Sequence, residues 1–445
     1  MSARLARSAA LVPQAALTVA AVTIFLLSYS RHGIGFGPDH IDLDVYRLGA
    51  QAWLHGRNLY GHLPPVPAGL RLGFTYPPIA AVALAPLALV PATVAGTVMT
   101  LVTVALLGAV LRLFLRRVTG TSGAAGWLLP AALFLEPVRS TLSFGQINVI
   151  LMALVTFDAL VVAPRWPRGA LTGLAAAVKL TPAVFVLYFL LRRDYRAAGT
   201  AALSFAAAAA AGFALAGPDS VRYWTGAVFQ VDRIGQPLYA FNQSILGVLA
   251  RAGLNHHAQL AAWLALSAVV LLEAGLGMRR ALAAGQDALA LNLNALAALL
   301  ISPISWSHHW VWCVPLLLTL AAGRRRGARL LAAAGLVMFA AGPQQWLPHA
   351  RNLELRWAPW EQALGSSYVL FAVLVLVLAA CGLLQAVRQP GVHVADPVLH
   401  QGEVPVVVEQ PGLHAGDVGG QPLAMAERHE PVLAAVHQHD GYRDG

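Results

Sequence analysis

Apolar runs separated by short arginine clusters recur from residue 8 to residue 387. Several approach the roughly 20 residues that a helix needs to cross a bilayer. Only 11% of the 445 residues are charged, against about a quarter in soluble domains. This excludes a soluble enzyme held by a single anchor, and the chain reads as an all-α polytopic membrane protein.

The arginines mark which loops stay inside. They cluster at Arg4 and Arg7, at Arg112, Arg116 and Arg117, at Arg165 and Arg168, and at Arg192, Arg193 and Arg196. Further clusters lie at Arg279 and Arg280, at Arg324 to Arg326 with Arg329, and at Arg388. Short loops rich in Lys and Arg remain cytoplasmic, so the net charge of +10 encodes orientation and implies no nucleic-acid partner. Cys313 and Cys381 lie far apart in apolar runs and fit no metal or redox motif. The first apolar segment has no small-residue cleavage site before Arg31, so it reads as a retained helix.

These signals predict a first helix over about 8–29 running outward and a long outer loop to about residue 76. YPPIAAVALAPLALVP (76–91) is too short and proline-broken for a simple span and suits a half-buried entry into the membrane. A full helix follows at about 92–115, then a short outward segment (125–136), a turn containing SFGQIN and a return helix (148–163). Residues 169–191, broken at KLTP (179–182), suggest two short arms entering and leaving by one side. Further segments fall at 197–217, 257–278, 286–303, 310–322, 328–346 and 366–387. The expectation is about 10 to 13 spans in a plasma-membrane protein with both termini cytoplasmic. From residue 389 the chain turns Gly-, Pro- and His-rich and takes eight of the 20 acids. The expected division is therefore 1–388 as the transmembrane domain and 389–445 as a disordered cytoplasmic tail.

With the cytoplasmic arginines set aside, polar residues gather on the outer side. The first loop (about 30–76) holds HIDLDVYRLGAQAW (40–53), with Asp42 and Asp44 at the start of a short amphipathic interfacial helix. One aspartate could serve as a helix cap, but two residues apart both cannot. SPISWSHHWVW (302–312) brings adjacent His308 and His309 among serines and tryptophans; ionisable groups at membrane depth are costly and often functional. FGQIN (144–148), near Glu136 and Arg139, contributes Gln146 and Asn148. PLYAFNQS (237–244), beside Arg233, contributes Asn242 and Gln243, while Tyr76 and Lys179 complete the candidates. Each island alone fits turn formation or helix packing; that all can reach one side argues for one shared cavity. No phosphate-binding glycine loop or dinucleotide fingerprint appears. One or two carboxylates with His, Lys and Arg near lipid suit transfer from a lipid-linked phosphate. The carboxylate takes a proton from an attacking hydroxyl, and the cations stabilise the departing phosphate.

DLDVYRLGAQAWLHGRNLY and FTYPPIAAVALAPL, followed by GQIN, KLTP, FNQS and SPISWSHHWVW, resemble the polyprenol-phosphate-mannose-dependent α-(1→2)-mannosyltransferases of actinobacteria, glycosyltransferase family 87. The block runs from about residue 40 to residue 312. The resemblance implies a GT-C-type helical bundle acting on the extracytoplasmic side. It implies transfer of mannose, with inversion, from polyprenyl-phosphate-mannose to a mannosylated lipid or lipoglycan: a phosphatidylinositol mannoside, lipomannan or lipoarabinomannan. It also implies that Asp42 is the general base, with Asp44 second, and that His308 or His309 sits near the donor phosphate. The partners expected are thus the two substrates and membrane lipid. No cofactor is implied, although paired aspartates could hold Mg²⁺ through waters. The competing readings are a lipid-linked saccharide transporter or flippase, and a GT-C transferase of another sugar.

Overall fold

The computed structural model describes residues 13–23, 40–349 and 351–384. The expected tail (389–445), both termini and Asp39 lie outside the described residues. Those described are overwhelmingly helical and form no β-strand, only an isolated bridge between Asn242 and Trp306. The all-α expectation is met.

The chain opens with α1 (13–23). It continues through α2 (Ile41–Leu54), α3 (Pro78–Ala88), α4 (Ala92–Thr119), α5 (Ala125–Leu133) and α6 (Glu136–Phe144). Next come α7 (Asn148–Leu160), α8 (Ala170–Val178), α9 (Val186–Leu191), α10 (Tyr195–Leu215), α11 (Gly217–Thr225) and α12 (Ile245–Arg251). The path ends with α13 (His256–Ala283), α14 (Asp287–Ile301), α15 (Cys313–Ala321), α16 (Arg326–Ala341), α17 (Pro359–Gly365) and α18 (Ser367–Ala380). A 3-10 turn over Ser307–Trp312 leads into α15.

Local chemistry sets these boundaries. Pro91 precedes α4, Gly120 ends it in a left-handed conformation, and Arg116 and Arg117 lie in its last turn, where the helix dipole favours cations. Asp194 caps α10 by accepting from Ala197 N at 3.0 Å, and Asn255 caps α13 by accepting from Ala258 N at 3.0 Å. Buried Asp158 on α7 accepts from Gly169 N and Thr172 N, both at 2.9 Å, and from Trp166 Nε1 at 3.1 Å. It thereby satisfies amides that the start of α8 would otherwise leave unpaired.

Among the described residues, α4, α10 and α13 are each long and apolar enough to cross a membrane. The α6–α7 and α17–α18 pairs reach that standard only together, bent by 117° and 71°. Where the sequence predicts about 10 to 13 spans, length and composition thus license three to five. The difference arises because proline and glycine divide many apolar runs: Pro130 lies inside α5, Gly145 separates α6 from α7, and Pro182 follows α8. YPP opens the short α3 with Pro78 in its first turn, and KLTP separates α8 from α9, as the sequence predicts.

α14 is buried along nearly its whole length and forms the centre of the packing. Asn292 on it donates to Pro315 O at 3.2 Å and Thr319 Oγ1 at 3.0 Å, tying α14 to α15 by polar contacts of the kind that hold membrane helices together. α10 and α13, by contrast, expose rows of leucine, including Leu203, Leu264 and Leu272. Apolar surface of this extent suits hydrocarbon rather than water.

One regularity positions the site. α7, α8 and α14 each carry cavity residues at or just beyond one end: Gln146 before α7, Lys179 after α8, Ser302 after α14. Their opposite ends meet the basic collar. Arg117 Nε donates to Leu160 O at 2.8 Å, Arg168 reaches the carbonyls of Asp158, Ala159 and Val161, and Arg192 pairs with Asp287 at 3.1 Å.

Candidate active site

α2 presents Asp42 and Tyr46 one turn apart on the same face. Neither aspartate is a cap: the helix starts after His40, whose left-handed backbone (φ 46°) offers no side-chain cap. Residues two apart on a helix diverge by roughly 200°, and this separates the pair. Asp42 lines a cavity of about 590 Å³. Asp44 instead turns to Arg47 (3.9 Å), whose guanidinium also holds Leu87 O and Val90 O. Asp42, and not Asp44, is therefore among the residues lining the cavity. Among the described residues no group of three His, Cys, Asp or Glu side chains converges as a metal ion would require.

Burial pushes the Asp42 carboxyl up to about 6, against smaller opposing effects of a Gln146 hydrogen bond and the Lys179 charge. Burial also raises Asp44, with Arg47 opposing. Behind Asp42, Gln146 Oε1 accepts from the hydroxyls of Tyr46 (2.7 Å) and Tyr76 (3.4 Å), which lie 3.0 Å from each other. Two donors on the amide oxygen turn its NH₂ toward Asp42. Gly145 makes this possible. Its φ is +67°, and a Cβ there would fall 2.7 Å from Leu43 Cβ, so only glycine lets the α6–α7 turn approach α2 this closely.

Across the cavity, Lys179 extends from the end of α8. Its Nζ donates to Asn148 Oδ1 at 3.1 Å, meets His309 Nε2 at 3.2 Å, and lies 5.4 Å from the centre of the Tyr76 ring. An ammonium carries only donors, so His309 Nε2 accepts and its ring proton sits on Nδ1. Asn148 Nδ2 donates to His308 O at 2.8 Å, and Thr141 Oγ1 donates to the same oxygen at 2.7 Å. Asn148 is not in the lining of this cavity but lines a smaller crevice that adjoins it, where it fixes both Lys179 and the histidine turn. His308 and His309 both line the cavity, their rings edge to face at 4.8 Å.

Asn242 and Gln243 are fully buried beside the cavity rather than in its wall. Gln243 N donates to Ser305 O and Ser307 N donates to Phe241 O, both at 2.8 Å. Asn242 accepts from Ser305 N at 2.9 Å and donates to Pro237 O and Pro303 O; Gln243 Nε2 donates to Ala240 O and Gly365 O. The Asn242 amide answers backbone groups left unpaired in the irregular SPISW segment, and the Gln243 amide answers carbonyls outside it, before α12 and at the end of α17. The two amides shape the turn, and Gln243 Oε1 is left without a partner among the described residues.

The sequence reading leaves an aromatic wall unassigned: Tyr60, Phe74, Tyr223, Tyr239, Phe241 and Trp306 line the cavity, with Arg233 among them. The smaller, apolar crevice of about 50 Å³, walled by Leu151, Met152, Phe185, Leu299 and Trp312, meets the cavity at Lys179, Thr181, Ser302 and His309.

A membrane protein with a basic carboxylate facing an anchored ammonium across an aromatic cavity has the parts of a group-transfer enzyme. The chain belongs to glycosyltransferase family 87, whose model matches residues 74–303, and it is a glycosyltransferase. It is 44% identical, over 78% of its length and 85% of the relative's, to the polyprenol-phosphate-mannose-dependent alpha-(1-2)-phosphatidylinositol mannoside mannosyltransferase of Mycobacterium tuberculosis. To the protein of the same name from Mycolicibacterium smegmatis it is 43% identical, over 84% and 89% of the two chains. Its backbone is also similar, at a TM-score of 0.39 and 17% identity, to the crystal structure of ArnT from Cupriavidus metallidurans bound to undecaprenyl phosphate, over 83% of this chain and 77% of that one. The family expected from the motif block is the family found.

Proposed function

We propose that this chain transfers mannose from polyprenyl-phosphate-mannose to a hydroxyl of a mannosylated phosphatidylinositol, with inversion, forming an α-(1→2) linkage. The observation that carries the reading is that Asp42 and Lys179 share one cavity without pairing. Asp42 makes no ion pair with another described residue, unlike Asp44 with Arg47, Asp287 with Arg192 and Asp219 with Arg222. A carboxylate left free of salt bridges, and raised by burial, is a competent base near neutral pH.

In the proposed step the Asp42 carboxylate takes the proton of the acceptor hydroxyl as its oxygen attacks the anomeric carbon. The bond from that carbon to the phosphate oxygen breaks, and polyprenyl phosphate departs with the electron pair. Lys179 meets the developing phosphate charge, held by Asn148 and His309 so that little reorganisation is needed. The apolar crevice beside Lys179 and His309 gives the polyprenyl chain a surface of matching chemistry next to its phosphate.

The reading sets the cavity on the extracytoplasmic face. α7, α8 and α14 carry cavity residues at one end and meet the arginine collar at the other, and short basic loops stay inside. A transporter of lipid-linked saccharide would instead need polar groups along its whole path, whereas α14 between Asn294 and Ile301 is all leucine, alanine and isoleucine. The test is purified protein given labelled polyprenyl-phosphate-mannose and a dimannosylated phosphatidylinositol. Stoichiometric polyprenyl phosphate and an α-linked trimannosylated product are expected. Movement of intact donor between leaflets without phosphate release would overturn the reading in favour of transport.

A further inference from the structure

Arg233 is the one cavity arginine and stands apart from the basic collar. Its guanidinium lies 5.4 Å from the centre of the Tyr60 ring, and its Nη2 donates to Tyr60 O at 3.2 Å and Phe74 O at 3.5 Å. Nε and Nη1 have no hydrogen-bond acceptor, and the side chain no carboxylate within ion-pair distance, among the described residues. The cavity lining contributed by neighbouring stretches of chain is mostly apolar or aromatic, Leu70, Leu72, Phe74 and Ile234, with Gln230 as a neutral polar member. A guanidinium held at Nη2, with the Nε and Nη1 donors left over beside a cavity, is arranged to take an anion. Charge-assisted hydrogen bonds from these donors to phosphate oxygens are stronger than neutral ones.

The cavity therefore has two cationic poles, joined by an aromatic shelf. Tyr60 donates its hydroxyl to Tyr76 O at 2.8 Å; Arg233 stacks on the Tyr60 ring and Lys179 on the Tyr76 ring. Lys179 adjoins the apolar crevice that suits an isoprenoid chain, so the donor phosphate belongs at that pole. A second phosphate is repelled from a pole already holding one, and the remaining cation is Arg233. We infer that Arg233 binds the phosphodiester of the acceptor lipid and so selects a phosphate-bearing mannoside over a neutral one. This rests on the proposed reaction, since it presumes a glycosylated phospholipid as acceptor. Arg233 thus determines specificity without touching the reacting atoms.

The experiment compares two acceptors, a dimannosylated phosphatidylinositol and neutral octyl α-mannoside, in wild type, R233Q and R233K. The ratio of kcat/KM for the charged acceptor to that for the neutral one is expected to fall about 10-fold or more in R233Q, as expected for losing a charge-assisted hydrogen bond. The fall should appear as a rise in acceptor KM, with R233K recovering part of the ratio because it keeps the charge but not the guanidinium's set of donors. An unchanged ratio, with both acceptors impaired together, would mean that Arg233 only supports the fold and would overturn the inference. A rise in the KM of polyprenyl-phosphate-mannose in place of the acceptor's would overturn it by assigning Arg233 to the donor. A wild-type protein that transfers mannose to neither acceptor would overturn the reaction itself, a result distinct from the other two.

Discussion

Two carboxylates, Glu136 and Asp42, have opposite surroundings in the structure. Glu136, at the start of α6, is fully buried and accepts four hydrogen bonds: from Ser140 Oγ (2.7 Å), Ser307 Oγ (2.8 Å), Tyr368 Oη (2.8 Å) and Gln344 Nε2 (3.3 Å). Asp42 has one side-chain donor among the described residues, Gln146, and an open face on the cavity. A carboxylate offers about four lone-pair directions. In Glu136 all are engaged, so it acts as a strut between α6, the histidine turn, the turn after α16 and α18. In Asp42 most remain for a proton. What separates a structural acid from a catalytic one here is the number of donors already satisfied.

The largest effect expected of this contrast is in D42N. Mannose transfer should fall about 10²- to 10⁴-fold, the usual share of a general base, while the protein keeps its fold. Burial raises the folded-state pKa of Asp42 above its unfolded value, so its stabilising contribution is complete below about pH 4 and is lost as pH rises through about 6. At pH 7 the ionised side chain therefore opposes folding, and D42N should melt no lower than wild type in detergent. E136Q should show the reverse. An amide in place of the carboxylate sets an NH₂ against groups that were donating, at a cost of about 1–3 kcal/mol. Its melting temperature should drop, and transfer should fall less than in D42N, through movement of the turn that Ser307 anchors. Equal activity losses in the two variants would dissolve the distinction. The smallest effect is expected for D44N. With only the partly exposed Arg47 contact to lose, transfer by membranes should stay within about threefold of wild type, and a loss as large as that of D42N would return Asp44 to the site.

Much of this was legible from residues alone, and the boundary is physical. Arg116 and Arg117 mark the end of α4 because membrane-crossing apolar runs and dipole-complementing cations are local signals. KLTP breaks its segment because proline cannot continue a helix, and it delivers Lys179 to the cavity. The divergence of Asp42 from Asp44 follows from helical geometry once α2 begins at Ile41 rather than after the aspartates. Asn242 and Gln243 were not separable from substrate-binding amides. Whether an amide faces a cavity or a stray carbonyl depends on residues 303, 305 and 365, remote in sequence. Arg233 left one usable trace, an arginine beside aromatics and away from every basic cluster. Glu136 left another, as one of few acids ahead of the tail.

The central claim is that a single raised carboxylate, Asp42, removes the acceptor's proton. The pH dependence of kcat/KM tests it most directly, because that profile reports the ionisation of the free enzyme's base. With acceptor and donor held in detergent of fixed composition, kcat/KM should rise tenfold per pH unit at low pH and level off above about 6. D42N should lack that limb. A wild-type profile flat between pH 4.5 and 7, or an ascending limb that survives in D42N, would contradict the account.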